Sequence, residues 1–341
     1  MDSRVNSSGR TSLKRKLKAT PSIAEDDFQA IADIDKNAKP PGPANIQELE
    51  EWPMMQLGSV DSRPKLVRRF LTLLKHGTLN TTDYSGADCP REMDYQLSLA
   101  MAKKYGLPEP PRFSFVRACD NDHLPQKVLL QVAKKLDGCR TCVSPDILSV
   151  LDKDTRQFLD EMEPPLEMRT SDKLEDRVQA AQMYSQMLDW LMANRARIIT
   201  DDATFPCLVH ERTMCKLGPC GRDKLLDEDD RVLKLNWAGT TCKGWSSVGD
   251  SGGFCDASEK THAVFVTQRA RMTELNKEDG FFGECTVKYP VEVKLALPLR
   301  PWMHVVWVKV DAAKLGYGTK RPRCLSFGSN RNRRWWVNKC P

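Results

Sequence analysis

Several features that would place a protein in a membrane or outside the cell are missing from this chain of 341 residues. No apolar run reaches the roughly 20 residues that a membrane-spanning helix requires, and residues 1–20 lack the apolar segment of a secretory signal. We therefore expect a soluble protein that acts away from membranes. Its 12 cysteines are expected to be reduced thiols, among them a metal ligand or a catalytic thiol, because disulfide frameworks are typical of short secreted chains.

Two phosphate-binding patterns are missing as well. The first predicted strand-to-helix turn, YSGADCPRE, lacks the G-x-G-x-x-G spacing that seats the pyrophosphate of a dinucleotide. No G-x-x-x-x-G-K-[ST] phosphate loop occurs, and no internal repeat is visible. These absences argue against a dinucleotide cofactor.

Positive charge is concentrated at the two ends of the chain. Residues 1–20 hold six Lys or Arg and one Asp, and residues 314–341 hold eight Lys or Arg and no acid, against a net charge of +6 for the whole chain. Such clusters suit a polyanionic partner, although basic tails can also serve only solubility. The run LKRKLK at 13–18 resembles a nuclear import patch, so we expect a nuclear protein, with the cytoplasm as the alternative.

The chain divides into segments of different character. Residues 1–60 are polar, and proline breaks any periodic pattern, so this basic segment is expected to be disordered. Residues 61–150 and 230–330 alternate strand and helix patterns, whereas residues 151–229 are predicted as a helical insertion. The tail 331–341 mixes arginines with paired tryptophans, which suits phosphates and bases; packing of these tryptophans on the sheet edge is the alternative.

The alternation predicts a doubly wound α/β sheet with helices on both faces. Seven strands are predicted, at 77–85, 113–119, 139–143, 232–238, 280–286, 303–310 and 323–329. Helices are predicted before the first strand, after Pro90, after Asp122, at 172–195 and at 258–273.

Ligands of such sheets bind beyond the carboxyl ends of the strands. The residues that the prediction brings to one crevice are Ser85, Gly86, Ala87, Asp120, Asn121, Asp146, Cys242 and Glu284. An acid after the second strand suits the two hydroxyls of a ribose, and a glycine turn allows close approach of a cofactor. A nucleoside cofactor without a pyrophosphate pattern points to S-adenosyl-L-methionine. A thiol and a carboxylate across the crevice indicate nucleophilic catalysis with acid assistance.

The order of the motifs resembles that of the C5-cytosine DNA methyltransferases. DYSGADCPRE, with Tyr84 and Gly86, is similar to that family's F-x-G-x-G motif, although Asp88 stands at the second glycine. RACDNDHLPQKVL resembles the second motif, with Asp120 at the ribose-binding acid. SPDIL resembles the third motif, with Asp146 at the residue that contacts the adenine amino group.

The later motifs continue this resemblance. AGTTCKGWSSVG is similar to the family's G-x-P-C-x-x-F-S-x-x-G loop, with Cys242 at the nucleophile and a threonine in place of the proline. GECT resembles the E-N-V motif, with Glu284 at the glutamate. LGYGTKRPRCLSFG resembles the F-G-x-P-Q-x-R-x-R motif, with Arg321 and Arg323 at its arginines and a threonine at the glutamine.

The resemblance covers about half of the chain and implies a Rossmann-like, S-adenosyl-L-methionine-dependent methyltransferase fold. It implies methylation of C5 of cytosine in DNA, with Cys242 as the nucleophile and Glu284 as the partner of the base ring. Arg323 and Arg321 would position the base and the cysteine loop. The implied cofactor-binding residues are Tyr84, Ser85, Gly86, Ala87, Asp120, Asn121, Asp146 and Ile147.

Other functions stay open on the same residues. An RNA cytosine methyltransferase would use the same chemistry. A catalytically inactive protein that keeps the cofactor fold and binds nucleic acid or chromatin would explain the substituted motifs. The family's target-recognition domain is not visible in the sequence, so a partner protein that supplies target recognition is a further expectation.

One cluster of residues could bind zinc. Cys207, His210, Cys215 and Cys220 lie in CLVHERTMCKLGPC, with tolerable ligand spacings. Only the C-x₂-H half is tightly spaced. We therefore favour a loop with scattered thiols and predict no metal site; a scaffold with a structural zinc is the alternative.

Overall fold

The computed structural model describes residues 61, 64–86, 88–135, 140–210, 214–217, 231–240, 243–246, 252–311 and 321–333. The predicted disordered segment 1–60 and most of the tail 331–341 lie outside these residues. None of the helices within the described ranges combines the length and apolar character needed to cross a membrane.

Nine strands are described, seven of which form one sheet. In chain order they are β1 Thr78–Asp83, β2 Phe113–Cys119, β3 Cys142–Ser144, β4 Thr204–Pro206, β5 Met214–Lys216, β6 Leu233–Gly239, β7 Gly280–Thr286, β8 Met303–Asp311 and β9 Pro322–Asn330. The main sheet has the order β3-β2-β1-β6-β7-β9-β8, and β4 and β5 form a separate antiparallel hairpin.

The sheet is parallel from β3 through β7. β9 runs antiparallel between β7 and β8. This inserted antiparallel strand distinguishes the sheet from the dinucleotide-binding order and gives the methyltransferase variant of the Rossmann-like fold. The predicted fold class is confirmed.

The direction of strand addition reverses between β1 and β6, which are neighbours in the sheet. Such a reversal separates the loops at the carboxyl ends of the two strands and opens a crevice between them. In the register, Asp83 at the end of β1 pairs with Ala238 of β6, and Gly239 of β6 pairs with Glu284 of β7. The predicted site residues of these strands therefore meet at one edge.

Within the described residues, seven α-helices of four or more residues flank the strands. They are α1 Pro64–Leu74, α2 Cys89–Tyr105, α3 His123–Lys135, α4 Lys153–Met162, α5 Leu166–Arg169, α6 Leu174–Ile198 and α7 Ser258–Glu274, and helical turns also form at Ile147–Val150 and Glu292–Leu299. Right-handed crossovers place α2 and α3 on one face of the sheet and α6 and α7 on the other. Local chemistry fixes their ends: Pro90 lies in the first turn of α2, and Gly106 ends it with a φ of 61°.

The segment predicted as an insertion supplies the crossover from β3 back to β6. Its helix α6 packs on α7, and buried residues of both helices belong to one apolar core, among them Met187, Leu191, Val264 and Phe265. Nε of Arg195 donates to Oε1 of Glu274 at 2.8 Å and joins the two helices near their ends. The described part of 151–229 is therefore continuous with the sheet domain.

Candidate functional site

The turn after β1 forms the floor of the candidate site. Tyr84, Gly86 and Asp88 all have positive φ values, of 54°, 53° and 62°, which produce a tight turn. The Ser85 hydroxyl donates to the Cys119 carbonyl at 3.0 Å and accepts the Cys119 N–H at 2.9 Å. Ser85 therefore fixes the turn to β2 rather than offering a free hydroxyl to a ligand.

Asp120 lies beside this turn. Gly86 N–H donates to Oδ2 of Asp120 at 2.8 Å, and Asp122 N–H donates to Oδ1 at 3.0 Å. A Cβ built on Gly86 would meet no heavy atom within 4 Å, so the turn borders open space. The predicted ribose-binding acid is thus oriented by two backbone donors at the mouth of the crevice.

The crevice has a volume of about 790 Å³, within the range of about 300–1,000 Å³ that is usual for ligand sites. Five of the eight predicted cofactor-binding residues line it: Tyr84, Asp120, Asn121, Asp146 and Ile147. Ser85 and Gly86 form the adjoining turn, and Ala87 lies outside the described residues. The donor set fits a nucleoside with a charged tail.

The side chain of Asp146 caps the helical turn that follows it. Its Oδ1 accepts the N–H of Leu148 at 3.1 Å at the start of the turn Ile147–Val150. The same side chain borders the crevice, next to the buried Ile147. Capping fixes the orientation of this carboxylate and leaves it beside the ligand space.

The remaining wall comes from residues that the sequence did not identify. Arg169 and Arg177, from the segment after β3, line the crevice together with Ser258 and Thr261 at the start of α7. The Cys255 thiol donates to the carbonyl of Arg177 at 3.0 Å and ties the two parts of the wall together. Because helix α7 was predicted from the sequence, the residues at its N-terminus could have been predicted to line the crevice. No sequence pattern indicated that the two arginines would do so.

Burial sets the protonation state of two side chains that line the crevice, Cys119 and Tyr84. It raises the pKa of the Cys119 thiol well above its ordinary value and raises the pKa of the Tyr84 phenol. Both groups stay protonated at neutral pH. Because the thiolate is the nucleophilic form of cysteine, Cys119 is not a candidate nucleophile.

A second group of predicted residues meets at the carboxyl end of β7, which β6 separates from β1 in the sheet. Nε of Arg323 lies 2.5 Å from Oε1 of Glu284, because β9 runs antiparallel to β7 and pairs Arg323 with Thr286. The backbone N–H of Arg321 donates to Oδ1 of Asp311 at 3.1 Å, and Arg321 itself is exposed. The structure thus joins Glu284 with Arg323 and leaves Arg321 at the rim.

Cys242 lies outside the described residues, but the chain on both sides of it is held against β7. The Thr240 hydroxyl donates to the carbonyl of Glu284 at 3.2 Å. The Thr286 hydroxyl donates to the carbonyl of Trp245, also at 3.2 Å. Both anchors lie at the carboxyl end of β7, where Glu284 and Arg323 meet.

The turn after this segment packs closely on the start of α7. A Cβ on Gly244 would lie 2.6 Å from Cβ of Asp256, so close contact requires glycine here. The Trp245 ring packs edge-on against Phe254, with centroids 4.9 Å apart. Trp245 also lines a small cavity together with Tyr84 and Ser258, two residues that line the crevice as well.

The thiols that the sequence treated as scattered are brought together. Four residues, here called the Cys₃His cluster, have all their ligand atoms within 4.8 Å of one another: Cys142, Cys207, His210 and Cys215. Cys220 lies outside the described residues. The scattered-thiol interpretation is wrong for the other three members of the sequence motif, because the β4–β5 hairpin folds back on β3.

No family model and no curated protein matches the chain. Among solved structures it is similar to the methyltransferase EhMeth of Entamoeba histolytica, with 8% identity over 74% of this chain and 53% of that chain and a TM-score of 0.36. It is also similar to a DNMT2 mutant of Spodoptera frugiperda, with 10% identity over 77% and 53% of the two chains and a TM-score of 0.32. The chain spans about half the length of each, and the fold assignment rests on the strand order.

Proposed function

We propose that this protein is an S-adenosyl-L-methionine-dependent methyltransferase that methylates C5 of cytosine in DNA through a covalent intermediate on Cys242. The proposal is carried by the Glu284–Arg323 ion pair. This pair lies at the carboxyl end of β7, next to the anchors of the cysteine loop, and β6 separates β7 from β1, whose turn borders the crevice. This position would bring a polar group for a reacting base to the same end of the parallel strands as the crevice.

The residues of the crevice suit the cofactor. The Asp120 carboxylate would accept hydrogen bonds from the ribose hydroxyls, and Ile147 would pack on the adenine beside Asp146. Arg169 and Arg177 would face the carboxylate of the methionine part, which is a favourable partner for guanidinium groups. When bound, S-adenosyl-L-methionine supplies an electrophilic methyl group on a sulfonium sulfur.

The chain's own residues would activate the base. The Cys242 thiolate adds to C6 of cytosine, which makes C5 nucleophilic. The Glu284 carboxylate would accept hydrogen bonds from the exocyclic amine and from N3 once addition of the thiolate has led to protonation of N3, and the guanidinium of Arg323 holds this carboxylate in place. After C5 has gained the methyl group, a solvent base takes the C5 proton, the C5–C6 double bond re-forms, and the C6–S bond breaks to return Cys242 as the thiolate. The base must leave the duplex first, at a cost of a few kcal/mol.

The proposal also includes nucleic-acid binding, a location in the nucleus and a partner protein. The basic runs at residues 1–20 and 314–341 supply positive charge for nucleic-acid phosphates. Nuclear location follows from the same N-terminal run. We assign recognition of the target sequence to a partner protein, because the motifs of the chain account only for cofactor binding and catalysis.

The experiment traps the covalent intermediate. The full chain is incubated with S-adenosyl-L-methionine and a duplex oligonucleotide that contains 5-fluorocytosine, whose C5 fluorine prevents release of the cysteine. We expect a denaturation-resistant adduct that requires the cofactor and is lost in Cys242→Ala. Cys89→Ala, at an exposed cysteine, is the matched control and should form the adduct at the normal rate.

The outcomes separate the alternatives. An adduct only with single-stranded or folded RNA would assign the RNA reaction. Cofactor binding that Asp120→Ala weakens, without any adduct, would favour a catalytically inactive nucleic-acid or chromatin binding protein. A folded protein that binds no cofactor would overturn both the enzyme and this alternative.

A further inference from the structure

The Cys₃His cluster combines residues from three parts of the chain. Cys142 lies in β3, Cys207 and His210 follow β4, and Cys215 lies in β5. A backbone hydrogen bond of 2.9 Å from Leu208 N–H to the Val143 carbonyl joins the hairpin to the strand. The cluster therefore lies at the junction between the β4–β5 hairpin and the edge of the main sheet.

The spacing of the ligand atoms is that of a tetrahedral metal site. Zn–S bonds of about 2.3 Å and Zn–N bonds of about 2.0 Å separate each sulfur from the nitrogen by about 3.5 Å in a tetrahedron. Nδ1 of His210 lies 3.3 Å from Sγ of Cys215, 3.4 Å from Sγ of Cys207 and 3.7 Å from Sγ of Cys142. All three separations match a Cys₃His ligand set.

Hydrogen bonding is a poor account of this arrangement. Nδ1 of a histidine carries at most one proton, and thiols are weak donors and acceptors. Three sulfur atoms nevertheless surround the same nitrogen. A cation at the centre of the four atoms satisfies them together.

The surroundings favour a structural ion over a catalytic one. Cys142, Cys207 and Cys215 are all buried, and Val209 and Leu217 of the hairpin region are buried in the same apolar core. Four protein ligands complete a tetrahedral shell, whereas catalytic zinc keeps a position for water. Thiolate-rich tetrahedral sites favour zinc over the harder cations magnesium and calcium.

We propose that Cys142, Cys207, His210 and Cys215 bind one structural zinc ion that fastens the β4–β5 hairpin to β3. β3 has only three residues and is paired on one side within the main sheet. It leads directly into Asp146 and Ile147, which line the crevice. By holding β3 in place, the ion would stabilise the part of the crevice wall that Asp146 and Ile147 form. This proposal is independent of the methyl-transfer reaction.

The test measures bound metal in the full chain, expressed with zinc and purified under reducing conditions without chelator. We expect about one zinc ion per chain and at least a tenfold loss in Cys142→Ser. Cys220→Ser, which removes the other cysteine of the sequence motif, should keep its zinc, as should Cys89→Ser at an exposed cysteine. This comparison separates the four ligands of the structure from the four of the sequence motif.

Cobalt substitution of the wild-type protein keeps the test decisive where Cys142→Ser fails to fold. Co(II) in the site should show the intense visible bands of tetrahedral coordination and a thiolate-to-cobalt charge-transfer band, both lost on addition of excess zinc. Metal-free wild-type protein that also gives no such spectrum overturns the proposal. Loss of zinc in Cys220→Ser with retention in folded Cys142→Ser overturns the ligand assignment.

Discussion

Under the proposed function, substitution of Glu284 tests the chemistry with little effect on stability. Its side chain is 45% exposed, and its pair with Arg323 is partly solvated, so the pair contributes at most about 1 kcal/mol to folding. We expect Glu284→Gln to slow adduct formation about 10²-fold, by analogy with other oriented polar groups in active sites. The thermal midpoint should stay within about 2 °C of the wild-type value.

Rates of adduct formation, measured beside a thermal melt, check this expectation. Glu292→Gln, at an exposed glutamate on the segment after β7, is the matched control and should react at the wild-type rate. An unchanged rate in Glu284→Gln would remove Glu284 from the chemistry.

Asp94 makes the stability of the fold depend on pH. This carboxyl is buried in α2, and burial, with a smaller effect of nearby Asp88, raises its pKa from 3.8 to about 7. The folded state therefore holds the proton more tightly than the unfolded chain. The stability that Asp94 contributes is fully present below about pH 4 and is lost as the pH rises through 7.

We expect Asp94→Asn to lack this dependence, since the amide has no proton to release. The free energy of unfolding of the variant should exceed that of the wild type by an amount that grows between pH 4 and 7 and stays constant above pH 8. Denaturant titrations across this range measure the difference. A difference that is the same at every pH would show that Asp94 does not titrate as described.

At the scale of single elements, strands were easier to predict than the faces of helices. Two strands, 113–119 and 280–286, were predicted at the bounds that the structure shows, because turn residues flank short β-branched and aromatic runs. Helix positions were also predicted, but Met93, Leu124 and Leu174 of the predicted apolar faces are 61%, 59% and 75% exposed. Periodicity identifies an apolar stripe, whereas the crossover geometry decides which edge of it faces the sheet.

The turn after Cys242 gives an element-scale prediction. Gly244 lies so close to Asp256 that a Cβ would clash with Cβ of Asp256 at 2.6 Å. Gly244→Ala should displace this turn, lower the thermal midpoint by several degrees and slow adduct formation more than tenfold. Gly252→Ala, whose Cβ would meet Asp256 at 3.4 Å, is the matched control. Equal behaviour of the two variants would contradict the packing argument.

At the scale of the whole molecule, the sequence predicted which strand ends share the crevice but not what surrounds them. Asp120 and Asp146 follow from the rule that ligands lie beyond parallel strand ends, whereas Glu284, predicted for the same crevice, is not among the residues that line it. Arg169 and Arg177 line the crevice only because of the way the chain crosses back from β3. Contacts of this kind depend on the path of the chain and leave no local pattern.

The same crossover predicts how the molecule unfolds. Helix α6 shares its core with α7 and the sheet, and the Arg195–Glu274 pair and Trp302, whose Nε1 donates to Glu274 at 2.9 Å, join the two regions. We expect amide protons of α6 and β6 to lose protection from hydrogen exchange at the same denaturant concentration. Earlier loss of protection in α6 would show that the segment 151–229 folds as a separate unit.

The reversed direction of β9 has a consequence for biosynthesis. Glu284 leaves the ribosome 39 residues before Arg323, which reaches it only after β8 has turned and β9 has inserted beside β7. The crevice residues up to Asp146 are translated much earlier. The last residues that line the crevice, Ser258 and Thr261, also precede Arg323 in the chain, so the Glu284–Arg323 pair is the part of the described site that forms last during synthesis.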